Sequence, residues 1–503
     1  MDIAQEVTNN LQTFEALKQL AFNESNLNEK LKLLQYTSTW AVREHTGKFS
    51  DKEIEKALSK ISKQYSFEQK EYCPNSFLHV MTECSDIGGH TRIVEKWMNA
   101  SDDNEVHSLL LIKQKLTIPQ WLISSTQERQ GTLYQLPLTN TPIQKALELR
   151  DIASKYEYIV LHTHMDDIIP LLAFATEDFK RPIIFVNHGD HLFWLGISII
   201  DMLYDASHDA TNFTKHKRGN ILNEIVPVPL EFNNSTQQDK QAALNSLGLQ
   251  LDDSTKIILS MANSYKYHYL DDYTFIKMAL NILKANPDTI FIVIGPDKDT
   301  EKPWKDAYNN SNKRLIAVGL KVREEVNLYK AISDLYIDSF PFNSYTAFLE
   351  CASHHIPSLS LKTEFNSLDI LIDTPNHCST IDEIIQKSTQ ILQNSSKDQY
   401  DLSEKIISYH SIDKNWIHCK NRLIERTPDE HTLHWEFSHK NTIDTYDKML
   451  YALTPGNTRK IPFEKTIHFK NNIRILSILY KYNKLVGLKI LNYLFKILKY
   501  SYK

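Results

Sequence analysis

The sequence is poor in glycine, with 12 glycines among its 503 residues, whereas glycine makes up about 7% of an average protein. Because glycine lets a backbone come close to a ligand, each glycine of this chain is more informative than usual. The one Gly-Gly pair, Gly88-Gly89, is therefore a candidate ligand-binding turn.

Cysteine and long hydrophobic runs are also scarce. The five cysteines are odd in number and widely spread, without a CxxC pair, so we expect neither a disulfide framework nor a cysteine zinc site. No run of about 18 uncharged apolar residues occurs, so no segment is expected to span a bilayer. The N-terminus is polar and acidic, unlike a signal peptide. We therefore expect a protein of a reducing, cytoplasmic compartment.

Acidic residues are absent from residues 465–503, which hold nine Lys and Arg residues. The rest of the chain has 48 basic and 62 acidic residues, a net charge of −14. At about 100° per residue, eight of these nine basic side chains fall on one helix face and most apolar ones on the other. A basic amphipathic helix predicts peripheral contact with an anionic membrane, here the inner face of the cell membrane. The alternative is a helix that packs its apolar face on the core and leaves its lysines in water.

The remaining composition suits a large folded protein, with 42% hydrophobic and 24% charged residues. Residues 1–72 have apolar spacings of three and four, which predict helices. From Ser76 onward, short apolar runs alternate with helical stretches, which predicts parallel sheets covered by helices. The predicted strands are Phe77–Met81, His107–Ile112, Tyr156–His162, Arg181–Asn187, Ile257–Ser260, Thr289–Ile294, Arg314–Val318, Leu335–Asp338 and Pro357–Leu361.

A proline-bearing stretch at residues 226–229 predicts a linker between two such alternating sets. We therefore expect an α/β protein with two doubly wound, Rossmann-like domains whose strand ends face a ligand-binding cleft. Helical additions are expected at both termini. The expected parts are residues 1–72 (helical region), 73–230 (first Rossmann-like domain), 231–400 (second Rossmann-like domain), 401–464 (helical closing region) and 465–503 (basic amphipathic tail).

The Gly-Gly pair belongs to a strand–turn–helix pattern. The strand Phe77–Met81 leads into Gly88-Gly89, and a helix follows at once. Glycines at such a turn supply backbone N–H donors to a ligand. His90 follows them, and imidazole has a pKa suited to general base catalysis. The alternative is a tight turn with a surface histidine.

Two further turns follow strands of the second set. Ser260 ends a buried strand, and Asn263 and Lys266 lie in the loop after it. A lysine at a strand end is suited to binding a pyrophosphate, although an exposed loop lysine is the alternative. Gly319 ends another strand, in a turn whose backbone could bind the edge of a base.

The stretch Leu335–Cys351 predicts a strand, a polar turn from Asn343 and a helix that carries Glu350. A helix start at the carboxyl end of a strand favours a phosphate. Thr346 and Glu350 are four residues apart and share a helix face. The functional interpretation is a hydroxyl for phosphate and a carboxylate for ribose, and the alternative is a capped helix with a solvated glutamate.

Histidines and carboxylates follow two strands of the first set, in the sequences LHTHMDD and NHGDHLFWLG. Histidine and aspartate at these positions suit a metal site, but at a cleft they also suit recognition of sugar hydroxyls. We expect no catalytic metal. The residues concerned are His162, His164, Asp166, Asp167, His188, Asp190, His191 and Trp194.

Together these stretches resemble the glycosyltransferases of GT-B fold, and more closely the O-linked N-acetylglucosamine transferases and the bacterial protein N-glucosyltransferases. The stretch Ser85–His90 is similar to that group's Ser-Asp-Phe-Gly-x-His, whose histidine has been assigned as a base. Tyr265-Lys266 resembles its Tyr-Lys pair, in which the lysine holds the donor pyrophosphate. The stretch 343–347, with Glu350, resembles its Asn-Gly-His-Thr-Thr turn and following ribose-binding aspartate. The Gly-Gly-His-x-Arg element also resembles GT-B transferases that build polysaccharide and lipopolysaccharide.

The chain departs from the family pattern in this turn. Ser344 and Tyr345 replace Gly and His, Ala347 replaces the second Thr, and Glu350 replaces Asp. The helical repeats of the O-linked enzymes are missing, which argues against a protein acceptor.

The resemblance implies a transferase of a hexose or N-acetylhexosamine, moving it from a nucleotide-diphosphate donor, a UDP-sugar, to a glycan acceptor in bacterial surface polysaccharide or lipopolysaccharide assembly. It implies no metal or other cofactor and no nucleic acid, with the acceptor on residues 73–230 and the donor on 231–400. The implied catalytic residue is His90. The implied donor contacts are Ser260, Asn263, Lys266, Gly319, Asn343, Thr346 and Glu350. The implied acceptor or sugar contacts are Gly88, Gly89, His164, His188, Asp190 and His191. The alternatives are a protein O- or N-glycosyltransferase, a nucleotide-sugar epimerase, and a non-catalytic nucleotide-sugar-binding subunit of a transferase.

Overall fold

The structure is a computed structural model that describes residues 2–86, 89–230, 240–252, 254–268, 272–363, 368–393, 397–438, 443–453, 467 and 469–482. The chain forms two compact units, the first made of Met1–Val226 with Cys419–Lys503 and the second of Pro227–His418. The chain enters the second unit at the stretch predicted as a linker. It returns to the first unit at Cys419, so the residues predicted as one closing region, 401–464, are divided between the units.

In the described residues, the first unit has a seven-stranded parallel sheet. Its strand order is β3-β2-β1-β4-β5-β6-β7. Because β1 lies between β2 and β4, the direction of winding reverses between β1 and β4, and ligands of such sheets bind outside the carboxyl ends of the strands at this point. The strands are β1 (Cys73–Met81), β2 (Val106–Leu111), β3 (Leu133–Gln135), β4 (Tyr156–His162), β5 (Ile183–Val186), β6 (Met202–Asp205) and β7 (Asn223–Ile225).

Three N-terminal helices pack on this sheet, as their apolar spacing requires. The side chains of Asp2, Asn26 and Asp51 cap them by accepting backbone N–H bonds of their first turns, which typically contributes about 1 kcal/mol each. Their buried faces join the core of the sheet. The helices before the second unit are α1 (Ile3–Phe22), α2 (Leu27–Arg43), α3 (Lys52–Ser62), α4 (Gly89–Asn99), α5 (Gln120–Glu128), α6 (Pro142–Ala153), α7 (Ile169–Phe174) and α8 (His208–Lys217).

A buried carboxyl fixes α3 to the first sheet's loops. Glu55 accepts backbone N–H bonds from Gly196 (2.8 Å), Ile197 (3.1 Å) and Ser198 (2.8 Å). Complete burial raises the pKa of Glu55 to about 7 despite these hydrogen bonds. The N-terminal helical region is therefore an integral part of the first unit.

In the described residues, the second unit has a six-stranded parallel sheet in the order β10-β9-β8-β11-β12-β13. Its winding direction reverses between β8 and β11. The strands are β8 (Lys256–Met261), β9 (Thr289–Ile294), β10 (Leu315–Ala317), β11 (Leu335–Ile337), β12 (Ser358–Leu361) and β13 (His377–Cys378). Apolar cores lie on both faces of this sheet. The helices are α9 (Lys240–Ser246), α10 (Thr274–Ala285), α11 (Lys302–Asn310), α12 (Arg323–Ile332), α13 (Thr346–Ala352), α14 (Ile381–Leu392) and α15 (Ser403–His410).

The chain ends with α16 (Ile417–Glu425), α17 (Thr445–Leu453) and α18 (Phe469–Tyr482). The last of these is the part of the basic tail that the structure describes as a helix. Ile475 and Leu479 are buried in the core cluster that contains α1, and Asn471 donates a 2.9 Å hydrogen bond to Glu24. Lys470, Arg474 and Lys481 are exposed. The part of the tail beyond Tyr482 lies outside the described residues. In those that are described, no helix is both long and apolar enough to cross a membrane.

Candidate functional site

The predicted residues of the first unit follow the carboxyl ends of β1, β4 and β5. His90 is in the first turn of α4, the helix after β1, and His162 ends β4. The ring of His90 lies 6.2 Å from that of His162 and stacks on the ring of His188 at 4.0 Å, measured between centroids. The structure therefore brings His90, His162 and His188 together where the winding of the sheet reverses.

His90 is held as a neutral imidazole with an available lone pair. Its ring donates to the backbone carbonyl of His162, and its buried Nε2 atom has no hydrogen-bond partner among the described residues. The donor is therefore Nδ1. Burial, together with the neighbouring histidines, lowers the pKa of His90 well below its ordinary value. At neutral pH its Nε2 atom therefore carries a lone pair.

Of the two glycines predicted to contact a ligand, the structure describes only Gly89. Gly88 lies outside the described residues. Gly89 begins α4, and a Cβ added to it would meet no described heavy atom within 4 Å. Packing against the described residues therefore does not require a glycine at this position.

His164 lines a polar pocket of about 120 Å³ beside these strand ends. Thr82 connects the loops after β1 and β4, because its hydroxyl accepts from the His164 N–H (2.9 Å) and donates to Asp167 (2.8 Å). Lys113 lies 3.4 Å from Asp167. The pocket is lined by Gln35, Thr82, Glu83, Lys113, Lys115, His164, Asp166 and Asp167.

Asp190 and His191 form a local pair in the loop after β5. The carboxylate of Asp190 accepts hydrogen bonds from the His191 backbone N–H and ring Nδ1, both at 2.9 Å. The Arg218 guanidinium donates to the carbonyls of Asp190 and Leu192, each at 2.5 Å. Arg218 thereby fixes the loop in which Asp190 and His191 lie.

In the second unit, Lys266 and Asn343 meet at the point where the winding reverses. Lys266 lies in a short 3₁₀ helix, Ser264–Tyr267, that follows β8, and Asn343 lies after β11. The Lys266 Nζ atom donates a 2.8 Å hydrogen bond to the Asn343 carbonyl. The ammonium predicted to bind a diphosphate is therefore placed beside the turn predicted to bind it.

A buried carboxyl orders that turn. Asp338, just after β11, accepts hydrogen bonds at Oδ1 from the backbone N–H groups of Ser339 and Ser344 (2.9 Å each) and from the Ser344 hydroxyl (2.6 Å). The Ser344 hydroxyl in turn accepts from the Phe348 N–H at 3.1 Å. Tyr345 adopts a φ of 55° and a ψ of −90°, a backbone conformation that costs a non-glycine residue about 1–3 kcal/mol. Strain held in this way is concentrated at functional sites.

Thr346 and Glu350 lie on α13 as predicted from their spacing. Thr346 is its first residue, and Glu350 lies 3.7 Å from the ammonium of Lys330 on α12. Lys330 is almost fully buried, whereas the Glu350 side chain is 37% exposed. A carboxylate that is exposed but held by a buried cation can accept hydrogen bonds from ligand hydroxyls.

Three other predicted donor contacts have different surroundings. Ser260 has no exposed surface, and its hydroxyl lies 3.0 Å from the Tyr267 hydroxyl, so we leave it out of the proposed site. Gly319 has a φ of 75°, but its N–H donates to the Pro296 carbonyl at 2.8 Å, so this N–H is not available to a base. Asn263 is exposed beside Lys266 and stays in the proposed site.

Two residues at or in contact with these strand ends, Asp338 and Gln35, were not predicted from the sequence. Asp338 follows a short apolar strand, and an acidic residue directly after a buried strand could have indicated a site residue. Gln35 lies on α2 and donates to the Asp166 carbonyl at 2.8 Å. The sequence gives no sign of this contact, because 131 residues separate its partners.

Sequence comparison identifies no relative, since no family model and no curated protein matches the chain. Comparison with solved structures finds proteins of similar fold. A mutant of the O-GlcNAc transferase of Thermobaculum terrenum has a TM-score of 0.51 and 10% identity, covering 84% of this chain and 82% of that one. Anabaena HepE in complex with UDP and glucose has a TM-score of 0.52 and 10% identity, covering 69% and 98%. A glycosyltransferase from Rickettsia africae has a TM-score of 0.52 and 12% identity, covering 71% and 98%.

These similarities define the fold. The chain has the GT-B architecture, with two Rossmann-like units built on parallel sheets. The predicted fold class and the predicted resemblance to GT-B glycosyltransferases are confirmed at this level.

Proposed function

We propose that this protein is a glycosyltransferase that moves a sugar from a nucleotide-diphosphate donor to an acceptor hydroxyl. The observation that carries the proposal is the 2.8 Å hydrogen bond from Lys266 to the Asn343 carbonyl, between loops that follow β8 and β11. Ligands of doubly wound sheets bind at this point of the fold, and an ammonium there suits a diphosphate.

The donor lies on the second unit in this proposal. Lys266 and Thr346 contact the diphosphate, Asn263 lies beside it, and Glu350 accepts the ribose hydroxyls. The Asp338–Ser344 hydrogen bonds keep the intervening turn in place before the donor arrives. A fixed cation at the diphosphate stabilises the charge that develops on the leaving group, without reorganisation during the reaction.

His90 acts as the general base in this proposal. Its Nε2 lone pair accepts the proton of the acceptor hydroxyl as that oxygen attacks the anomeric carbon, while the nucleotide diphosphate leaves. Such a direct displacement inverts the configuration of the sugar. His188 stacks on His90 and limits its movement. His164, Asp190 and His191 are proposed to contact the acceptor or the transferred sugar.

The donor is proposed to be a UDP-hexose or UDP-N-acetylhexosamine. The similar Anabaena HepE was solved with UDP and with UDP and glucose, which supports a uridine donor for this fold. The proposed acceptor is a glycan in bacterial surface polysaccharide or lipopolysaccharide assembly, and a protein side chain is the alternative acceptor. No metal or other cofactor is proposed, because Lys266 supplies positive charge at the diphosphate.

The basic tail is proposed to hold the enzyme at an anionic membrane. In the described part of the tail, Ile475 and Leu479 are buried in the core cluster that contains α1. The membrane contact would therefore use the exposed Lys470, Arg474 and Lys481. Such an attachment is electrostatic and therefore weakens with salt.

Product analysis separates this function from its alternatives. The protein is incubated with UDP-sugars, with and without glycan acceptors, and the products are identified by mass spectrometry and NMR. A transferase yields free UDP and an extended acceptor. An altered UDP-sugar formed without an acceptor would identify an epimerase, and donor binding without any product would identify a non-catalytic subunit.

A further inference from the structure

Three buried histidines form a hydrogen-bonded row across the first sheet. His79 on β1 lies 3.0 Å from His107 on β2 (Nε2 to Nδ1) and 3.0 Å from His162 on β4 (Nδ1 to Nε2). The strand register puts all three on one face, since Phe77 pairs with His107 and Met81 with His162, and alternate residues of a strand share a face. All three histidines are fully buried.

Helix α4 covers this row. Its Trp97 packs edge-on against His79, with 5.5 Å between ring centroids, and contacts His162 at 6.3 Å. His90 lies seven residues earlier on the same helix, so both project from the same helix face. The row therefore runs beneath α4 and ends beside His90.

The other end of the row is a carboxylate. Glu105 lies 3.2 Å from His107 Nε2 and 3.5 Å from the buried Lys420 ammonium. Burial opposes ionisation of Glu105, but the His107 hydrogen bond and the Lys420 charge outweigh it and lower its pKa to about 2. Glu105 is therefore an acceptor only.

An acceptor at one end fixes the direction of every hydrogen bond in a row of neutral imidazoles, because each carries one N–H and one lone pair. Burial lowers the pKa of His79 and His107 and lowers that of His162 to about 3, so all three are neutral at pH 7. His107 Nε2–H donates to Glu105, His79 Nε2–H donates to His107, and His162 Nε2–H donates to His79. His162 Nδ1 is then left with a lone pair.

The atom that this set of hydrogen-bond directions leaves unprotonated, His162 Nδ1, also lacks a hydrogen-bond partner among the described residues. Like His90 Nε2, which also has no partner in the described part of the chain, it is buried. With the opposite tautomer, His162 would carry an N–H dipole near His90. Its positive end would oppose protonation of the proposed base, whereas a lone pair favours it.

We propose that Glu105 is a positioning residue, which acts through His107 and His79 to hold His162 in the Nε2–H tautomer beside His90. The structural part of this inference stands on the hydrogen-bond row alone, and its catalytic consequence rests on the function proposed above.

Nitrogen-15 NMR of histidine side chains in the full-length, ligand-free protein tests the structural part. The His162 signals are assigned by their loss in His162→Phe. In the wild type we expect a protonated Nε2 and an unprotonated Nδ1 on His162. Glu105→Gln offers both a donor and an acceptor to His107, and His107→Phe removes the connection to His79, so both variants should populate the second tautomer of His162. Asp103→Asn is the matched control, since its carboxylate is fully exposed two residues away, and it should match the wild type.

A protonated His162 Nδ1 in the wild type would overturn the inference, as would a His162 tautomer that neither Glu105→Gln nor His107→Phe changes. In the transfer reaction, Glu105→Gln should lower kcat about 10-fold, by analogy with residues that orient a metal-ligating histidine, and leave the donor KM unchanged. A fall in thermal stability with unchanged kcat would show a merely structural role. If the wild type transfers no sugar, the proposed function fails while the NMR result still decides the tautomer.

Discussion

Asp338 and Ser344 are joined by two hydrogen bonds to one carboxylate oxygen, at 2.9 Å from the Ser344 backbone N–H and at 2.6 Å from its hydroxyl. The pair closes the turn between β11 and α13, which contains Asn343. Burial raises the pKa of Asp338 to about 6, although the Ser344 hydrogen bonds and the Lys266 charge act in the opposite direction. The turn is therefore ordered by a carboxyl group that is costly to ionise.

The first prediction concerns the effect of pH on this turn. Because the folded pKa of Asp338 is above its unfolded value, the folded state binds the proton more tightly, and this stabilisation is lost as pH rises from about 4 to about 6. The cost at pH 7.5 is at most about 3 kcal/mol, since one pKa unit corresponds to 1.36 kcal/mol. Asp338→Asn removes the ionisable group. The free energy of unfolding of the variant minus that of the wild type, measured by denaturant unfolding, should therefore be more positive at pH 7.5 than at pH 4. A difference that does not change with pH would contradict the assignment.

The second prediction concerns His90. His90→Ala should lower kcat by about 10²- to 10⁴-fold, the usual contribution of a general base, without changing donor affinity, because His90 lies outside the second unit. Steady-state transfer and donor titration measure the two quantities. His418→Ala, an exposed histidine, serves as control and should keep full activity. Unchanged turnover in His90→Ala would exclude the base role.

The third prediction concerns metal ions. With Lys266 at the diphosphate, transfer should continue at an unchanged rate after dialysis against EDTA. The rate is measured before dialysis, after dialysis and after addition of Mg²⁺ or Mn²⁺. Activity lost with EDTA and restored by either ion would show that the diphosphate needs a metal.

The fourth prediction concerns the tail. Deletion of residues 465–503 would expose the α1 surface that covers Ile475 and Leu479, so charge reversal is the cleaner test. Lys470→Glu with Lys481→Glu should reduce co-sedimentation with vesicles of anionic phospholipid at low salt and leave thermal stability unchanged. The control is Lys302→Glu with Lys305→Glu, at two exposed lysines of α11. It changes the net charge by the same amount and should not reduce co-sedimentation. Equal sedimentation of both variants and wild type would remove the proposed membrane contact.

The sequence was sufficient for the alternation of strands and helices in both sheets. Every predicted strand is present, because short runs of apolar residues, continuous or alternating with polar ones, are a strong local signal between turns. The strands that were missed are short ones of two to four residues, such as Leu133–Gln135 and His377–Cys378. Segments of that length carry little periodicity, and the neighbouring strands hold them in place.

The residues of the candidate site could be predicted only where they come directly after a strand in the sequence. In the first unit His90 meets His188, and in the second unit Lys266 meets Asn343, because the ends of parallel strands meet at one edge of each sheet. The contacts of Glu105 with Lys420 and of Gln35 with Asp166 join residues 315 and 131 positions apart. No local pattern encodes such contacts, since they arise only when the helical termini pack on the first sheet.

The donor site is tested most directly by thermal-shift titration of UDP-sugars on the wild type, Lys266→Gln and Lys277→Gln. Glutamine at position 266 keeps a side-chain N–H donor but lacks the charge. Lys277 is a 72% exposed lysine of the same unit. A donor at 100 times its Kd should stabilise the wild type and Lys277→Gln by about 2.7 kcal/mol. Lys266→Gln should lose most of that stabilisation. A response of Lys266→Gln equal to that of the wild type, or no response of the wild type to any nucleotide sugar, would contradict the donor site.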